Sequence, residues 1–203
     1  MSKTQIPTGG IADDAISEEH IDATVITGST ALAATPADTD EFLISDAGTI
    51  KRIDYSLIKG GNTPIFSVRQ DGSHNVADNN DTKILWDAEL VDSDSAFASD
   101  KFTVPTGADG TYFLYVMAHG RSDSNSDLNV FYLSIYKNGS RIAMNEFDAR
   151  ANPLRKINTT CLTIQSLSAD DYIEGYLKVD IGSGTPSYAG DDFQMMFGGF
   201  KIG

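Results

Sequence analysis

Three histidines, one cysteine and several close carboxylate pairs are where a search for chemistry in this sequence begins. His20, His74 and His119 stand far apart, in unrelated contexts, and none has a partner at the spacing a zinc site needs. Asp92/Asp94, Asp170/Asp171 and Asp191/Asp192 fall in turn-like stretches and read as solvated turns. Calcium is the ion that such hard oxygen ligands would suit, but none of the pairs belongs to an EF-hand loop. "GSGTPS", from Gly182, begins like a dinucleotide loop, yet Ser187 stands where the third glycine belongs and no helix follows. No nucleophile elbow and no Walker loop occurs. Cys161, in "TTCLTI", reads as a small packing residue. A non-enzymatic protein working without a cofactor or metal is therefore expected.

Recognition needs no such residues, only polar groups held on a scaffold. The segments 73–81 ("SHNVADNND"), 120–129 ("GRSDSNSDLN") and 182–191 ("GSGTPSYAGD") read as exposed loops. Asn75, Asn79, Asn80, Ser124, Asn125 and Asp127 are the candidate hydrogen-bonding residues, with Tyr188 as a stacking surface. The formal charge of −14 opposes phosphate backbones and anionic lipid, so nucleic-acid binding and membrane insertion are not expected.

What must position these loops is legible in the rhythm of the chain. Of 203 residues, 40% are hydrophobic, enough for a packed core. Composition divides the chain near "KGGNTP", giving a segment 1–62 and a head 63–203. In the first, Ile6, Ile11, Ile16, Ile21 and Ile26 recur every five residues, a spacing that suits neither helix nor strand. A largely extended arm is expected, with at most a short helix over 13–22, ordered by docking on something else. "EFLISDAGTIKRI" then reads as a hairpin about Asp46-Ala47-Gly48. From residue 64, short strands alternate with turns: "PIFSVRQ" with Phe66 and Val68 inward, "TKILWDAEL", "DKFTVP", "GTYFLYVMAHG", and "NVFYLSIYKNGSRIAMNEF" turning at Asn138-Gly139. "TTCLTIQSL", "DDYIEGYLKVDI" and "DFQMMFGGFKIG" complete the series. An all-β antiparallel sandwich or barrel follows.

One strand breaks the pattern. "YFLYVMA", residues 112–118, is apolar on both faces, whereas a sandwich strand has one face to spare for water. Tyr112, Leu114, Val116 and Ala118 form one set; Phe113, Tyr115 and Met117 form the other. "FQMMFGGFKI" repeats the trait, and Met195 and Phe197 are placed with Phe113, Tyr115 and Met117 on a face that a loop or the N-terminal arm could cover, but that another subunit covers better. Soluble monomers seldom expose a patch of that kind.

Residues 64–203 resemble the globular heads of complement component 1q and the tumour necrosis factor superfamily. The similarity is carried in order by "FSV", "TKILWDAEL" with Trp86, "DKFTVPTGADGTYFLYV", "LSIYKNG", "LTIQSLSADDYIEGYL" and "FGGFKI". Leu114 replaces a usual Phe, and Asp170-Asp171 stands where Gly-Asp is common. The resemblance implies a jelly-roll sandwich of about ten strands, assembled as a homotrimer whose inner sheets face a threefold axis. Residues 9–58 resemble connecting segments of bacteriophage tail and fibre proteins, through "PTGGIADDAISEEHID" and "FLISDAGTIKRIDYSLI". That likeness implies attachment to other virion proteins through the arm, Ile6 to Ile26 included, and a head turned toward a host-surface glycan or protein. "MSKTQIPTGG" lacks the apolar core of a signal peptide, so assembly in a host cytoplasm and location in a virion are expected. A receptor-binding fibre head leads, ahead of a capsid-decoration, head-fibre or tail-joint protein that cements the particle. A glycan-degrading enzyme ranks last.

Overall fold

The computed structural model describes residue 10 and residues 23–58, 61–123, 126–189 and 194–202. The chain divides into two compact units, residues 1–60 and 61–203. In the first, a single helical turn, α1 (Thr24–Thr27), carries Ile26 exposed to solvent. The stretch 13–22 lies outside the described residues, apart from which β1 (Glu41–Asp46) and β2 (Thr49–Asp54) form the expected hairpin. Ala47 and Gly48 both take positive φ, 49° and 83°, the mirror-image turn whose twist matches the strands it joins. A short 3-10 turn, Tyr55–Leu57, follows.

The second unit begins with β3 (Ile65–Arg69), β4 (Ser73–Asn75), β5 (Thr82–Lys83) and β6 (Ala88–Asp92). Next come β7 (Phe97–Ala98), β8 (Lys101–Thr103), β9 (Gly110–Arg121), β10 (Leu128–Lys137) and β11 (Ser140–Asp148). The last are β12 (Lys156–Leu167), β13 (Tyr172–Ile181), β14 (Ser187–Ala189) and β15 (Met196–Lys201). They form two antiparallel sheets. One runs β11-β10-β13-β8-β7, with β5 also on β13. The other runs β4-β14-β9-β15-β3-β6, with β12 along the opposite edge of β9. The fold is the expected jelly-roll sandwich, though several of its strands are only two or three residues long.

"TKILWDAEL" is not one strand, as its apolar content suggests. It leaves the first sheet after Lys83 and joins the second at Ala88. Between them Ile84 is fully buried, Trp86 packs on the core, and the Trp86 N–H donates to Asp100 Oδ1 at 2.8 Å. A crossing between sheets has no ladder partner of its own, so a side-chain carboxylate supplies the acceptor.

The core lies between the facing sides of the two sheets. Tyr112, Leu114, Val116 and Ala118 of β9 are all buried, with Phe66 and Val68 as expected from their alternation. Opposite them stand Phe131, Leu133 and Ile135 of β10 and Ile173, Leu177 and Val179 of β13. The far side of that second layer is built for water. Tyr136 packs on Tyr176 at 4.2 Å, Lys178 sits over Tyr132 at 4.5 Å and Lys101 over Tyr172 at 4.7 Å. Rings covered by ammonium groups shield apolar area while keeping a charged surface.

Two turns at one end are stapled together. Asn138, at φ 51°, turns β10 into β11; Asp170, at φ 68°, does the same between β12 and β13. Asp171 accepts hydrogen bonds from Asn138 Nδ2 (2.6 Å), the Ser168 N–H (2.8 Å) and Lys137 Nζ (2.7 Å). These partners, Lys137 foremost, lower its pKa from the ordinary 3.8 to about 2. A carboxyl held below its unfolded value stabilises the fold above that value and loses its effect as pH falls through the folded one. Asp171→Asn should therefore cost about 1 kcal/mol at pH 7. Urea unfolding at several pH values should show the deficit shrinking between about pH 4 and pH 2, and an undiminished deficit at pH 2 would exclude the carboxylate as its source.

Candidate functional site: an apolar sheet face

The side of β9 that turns away from the core presents Phe113, Tyr115 and Met117. Register aligns apolar neighbours with each of them. Ile164 of β12, Phe113, Phe200 of β15 and Ile65 of β3 form one cross-strand row. Leu162, Tyr115, Gly198, Ser67 and Val91 form the next, and Thr160, Met117, Met196 and Arg69 the third. Phe113 meets Phe200 at 5.6 Å between ring centres. Leu162 and Ile164 are each 60% exposed and Val91 is 44% exposed. Every such side chain left in water forgoes about 1.5–3 kcal/mol of burial.

The adjacent glycines of "FGGF" make this face possible. A Cβ on Gly198 would lie 2.6 Å from the Tyr115 hydroxyl, so the tyrosine ring lies flat across the strand. Its oxygen reaches Ser67 Oγ at 3.4 Å. A Cβ on Gly199 would meet Leu114 Cδ2 and the Phe113 carbonyl at 2.7 Å. One glycine thus admits a ring on the outside and its neighbour admits the core.

Phe113, Tyr115 and Met117 take the outward side expected of them, but Met195 and Phe197 do not. Both are fully buried inside the subunit. Phe197 stacks on Trp86 at 5.6 Å and meets Phe66 edge-on at 5.0 Å. Alternation in β15 was visible in the sequence, but its phase was not, because both faces are apolar. Met196 and Phe200 are the outward pair. Leu162 and Ile164 were missed for a related reason: both faces of β12 are mixed, with Leu162 and Ile164 outward while Thr159, Thr163 and Gln165 share the inward side with the buried Cys161 and Leu167. Asn145 Nδ2 partners one of these inward polar groups by donating to Thr159 Oγ1 at 2.8 Å.

The three proposed loops converge. Val76 N–H donates to the Pro186 carbonyl, Ile181 N–H to Asp78 Oδ1, Gly182 N–H to the Asp127 carbonyl, and Thr185 N–H to Asp123 Oδ2. Asn75, Asn79 and Asn80 are exposed, Asp127 is half-buried, and Ser124 and Asn125 lie outside the described residues. Two of the segments are partly sheet, since β4 pairs with β14. Tyr188 is therefore no surface for a ligand. It is 1% exposed, its ring stacks on His74 at 5.0 Å, and its hydroxyl accepts the Leu85 N–H. Its place in a strand pointing into the core, rather than in a loop, decides this.

Several of the groups that invited a search for chemistry have structural partners. Asp92 accepts the N–H groups of Ala96 and Phe97. Asp87 and Asp100 share a groove with Glu89 but accept the N–H groups of Asp71, Gly72 and Trp86. Cys161 is buried, and burial pushes its thiol pKa up. Gln70, itself buried, bonds the His74 ring at 2.9 Å. Asp191, Asp192 and His20 lie outside the described residues. Among the described residues no group of three or more His, Cys, Asp or Glu is placed to hold a metal ion.

No protein-family model matches the chain, and no curated protein matches it. Among solved structures it is similar to the globular domain of the zebrafish complement 1qA protein. The TM-score is 0.48 at 14% identity, covering 70% of this chain and 98% of that one. The likeness is one of fold.

If Phe197 belongs to the subunit core, Phe197→Ala should lower the unfolding free energy by about 3–5 kcal/mol, as truncation of a buried ring does. Urea denaturation followed by circular dichroism measures it. A loss under about 1 kcal/mol would return Phe197 to the surface.

Proposed function

We propose that residues 61–203 form a non-catalytic homotrimeric binding head, closed around a threefold axis by the outward face of the seven-stranded sheet. The observation that carries this is the set of three cross-strand rows centred on Phe113, Tyr115 and Met117, flanked by Leu162, Ile164, Met196 and Phe200. The other sheet shows what this chain does with a face meant for water: it pairs tyrosines with lysines. The rows of Phe113 and Tyr115 carry no charge and no ring-capping lysine, which suits a contact surface better than a face meant for water. Repeating one heterologous contact closes a ring when its rotation allows, and the resemblance of residues 64–203 to complement 1q and tumour necrosis factor heads favours three subunits.

The finer reading places this trimer on a bacteriophage particle, as a tail-fibre or receptor-binding head. It is supported by the likeness of residues 9–58 to fibre-connecting segments and by the convergence of three polar loops at one end of the sandwich. Asn75, Asn79, Asn80 and Asp127 would meet a host-surface glycan or protein, weak single contacts being multiplied by three. Residues 1–62, with Ile26 and the exposed Leu43 and Ile50 of the hairpin, would hold the head to other virion proteins. The same features serve a capsid-decoration protein that cements the particle. This reading requires no cofactor.

Light scattering of the full chain should give three times the mass of the 21.8 kDa subunit, and a monomer at micromolar concentration would refute the assembly. The two particle roles separate in a binding assay. A receptor-binding head adheres to host cells and loses adhesion when loops 73–81 and 120–129 are exchanged. A head that binds purified capsids and no cells is the cementing protein.

A further inference from the structure

The outward face of β9 and β12 changes character along its length. Beyond Met117 and Thr160, the next pair is His119 with Asn158, and the last is Arg121 with Lys156. Directly opposed like charges destabilise a sheet, and this chain has 29 acidic residues against 15 basic ones from which to choose a partner. Two bases nevertheless face each other. His119, Arg121, Arg155 and Lys156 line one concavity; His119, Lys156, Ile157, Asn158 and Gln194 line an adjoining one.

Among the described residues, the guanidinium of Arg121 is positioned by neutral partners. Arg121 Nε donates to Ser187 Oγ at 2.9 Å and its Nη2 to Ser73 Oγ at 2.8 Å. Both partners are hydroxyls, which fix the guanidinium and leave its charge intact. Asn158 is fixed in turn by its Nδ2, which donates to the Gln194 carbonyl at 2.7 Å. Among the described residues, Arg121, Arg155 and Lys156 take part in no ion pair. A bound anion would offset the repulsion within such a like-charged cluster. A guanidinium held in place is the donor that carboxylate, sulfate and phosphate groups match best.

We propose that this cluster is an oxyanion site, taking the charged group of an acidic saccharide at the loop-bearing end of the head. It deepens the binding reading above, since Ser73 and Ser187 belong to the converging segments. The competing occupant is a carboxylate of a neighbouring subunit.

The test titrates the full-length protein with glucuronate, inorganic sulfate and inorganic phosphate in separate arms, at constant ionic strength set by chloride, using calorimetry and thermal unfolding. Saturable binding with a raised melting temperature is expected in at least one arm. Preference for glucuronate assigns a carboxylated sugar, and preference for sulfate or phosphate assigns an esterified one. Arg155→Gln combined with Lys156→Gln, both at exposed positions, should weaken binding at least tenfold and leave the mass unchanged. Arg121→Lys, which keeps the charge but loses the fork, should weaken it by a smaller factor. No saturable binding in any arm overturns the site, as does equal binding by the double variant. So does a double variant that dissociates into subunits, because the cluster then pairs with a neighbouring copy. If the wild type adheres to cells while all three arms fail, the oxyanion site falls and the binding head stands.

Discussion

Everything in the head depends on β9 having no face to give to water. Its twelve residues pair with β12 along one edge and with β15 and β14 along the other, so backbone demand is met within the sheet. Its inner side chains fill the sandwich. Its outer ones, Phe113, Tyr115 and Met117, stand in the middle of an apolar field that spans β12, β9, β15 and β3. A sheet cannot turn such residues inward without turning the other set outward, because the side-chain period is two. The subunit therefore buries the inner set of β9 completely and leaves the outer set half-buried, with Leu162, Ile164 and Val91 exposed around it.

That constraint explains choices elsewhere that look unrelated. Gly198 and Gly199 are poor strand residues taken singly, yet together they let β15 lie between Tyr115 outside and Leu114 inside. β12 points Leu162 and Ile164 away from the core while threonines share the inner side with Cys161 and Leu167. The opposite sheet, with no such role, carries lysines over tyrosines and the ion pair of Lys83 with Glu174 at 2.8 Å. Acidic residues cap turns and hold loops, as Asp92 does for Ala96 and Phe97 and Asp171 for Asn138 and Ser168.

Much of the fold was legible because local rules fixed it. Ala47-Gly48 and Asn138-Gly139 announced their hairpins through the need for positive φ, and Phe66 and Val68 announced their face through alternation. The double-faced character of β9 was legible as well, since Phe113, Tyr115 and Met117 do alternate with the buried Tyr112, Leu114 and Val116. What escaped was phase and partnership. Nothing in "FQMMFGGFKI" distinguishes Met195 and Phe197 from Met196 and Phe200 until register with β9 is known. Tyr188 looked like a loop residue because a three-residue strand has too few positions to show a period. The basic end of the face escaped too, since Arg121 and Lys156 meet only through a pairing of strands distant in sequence.

The central claim is that the outward face of the seven-stranded sheet is buried in the assembled protein. Hydroxyl-radical footprinting read by mass spectrometry tests it with an internal standard of the same residue type. In the isolated subunit Leu162 is 60% exposed and Leu85 is 44% exposed, so Leu162 would be the more reactive of the two. If the face is covered, Leu162 reacts several-fold more slowly than Leu85, and Ile164 is protected with it. Leu162 reacting at least as fast as Leu85 in the native protein would mean that the face meets water, and the account would be wrong.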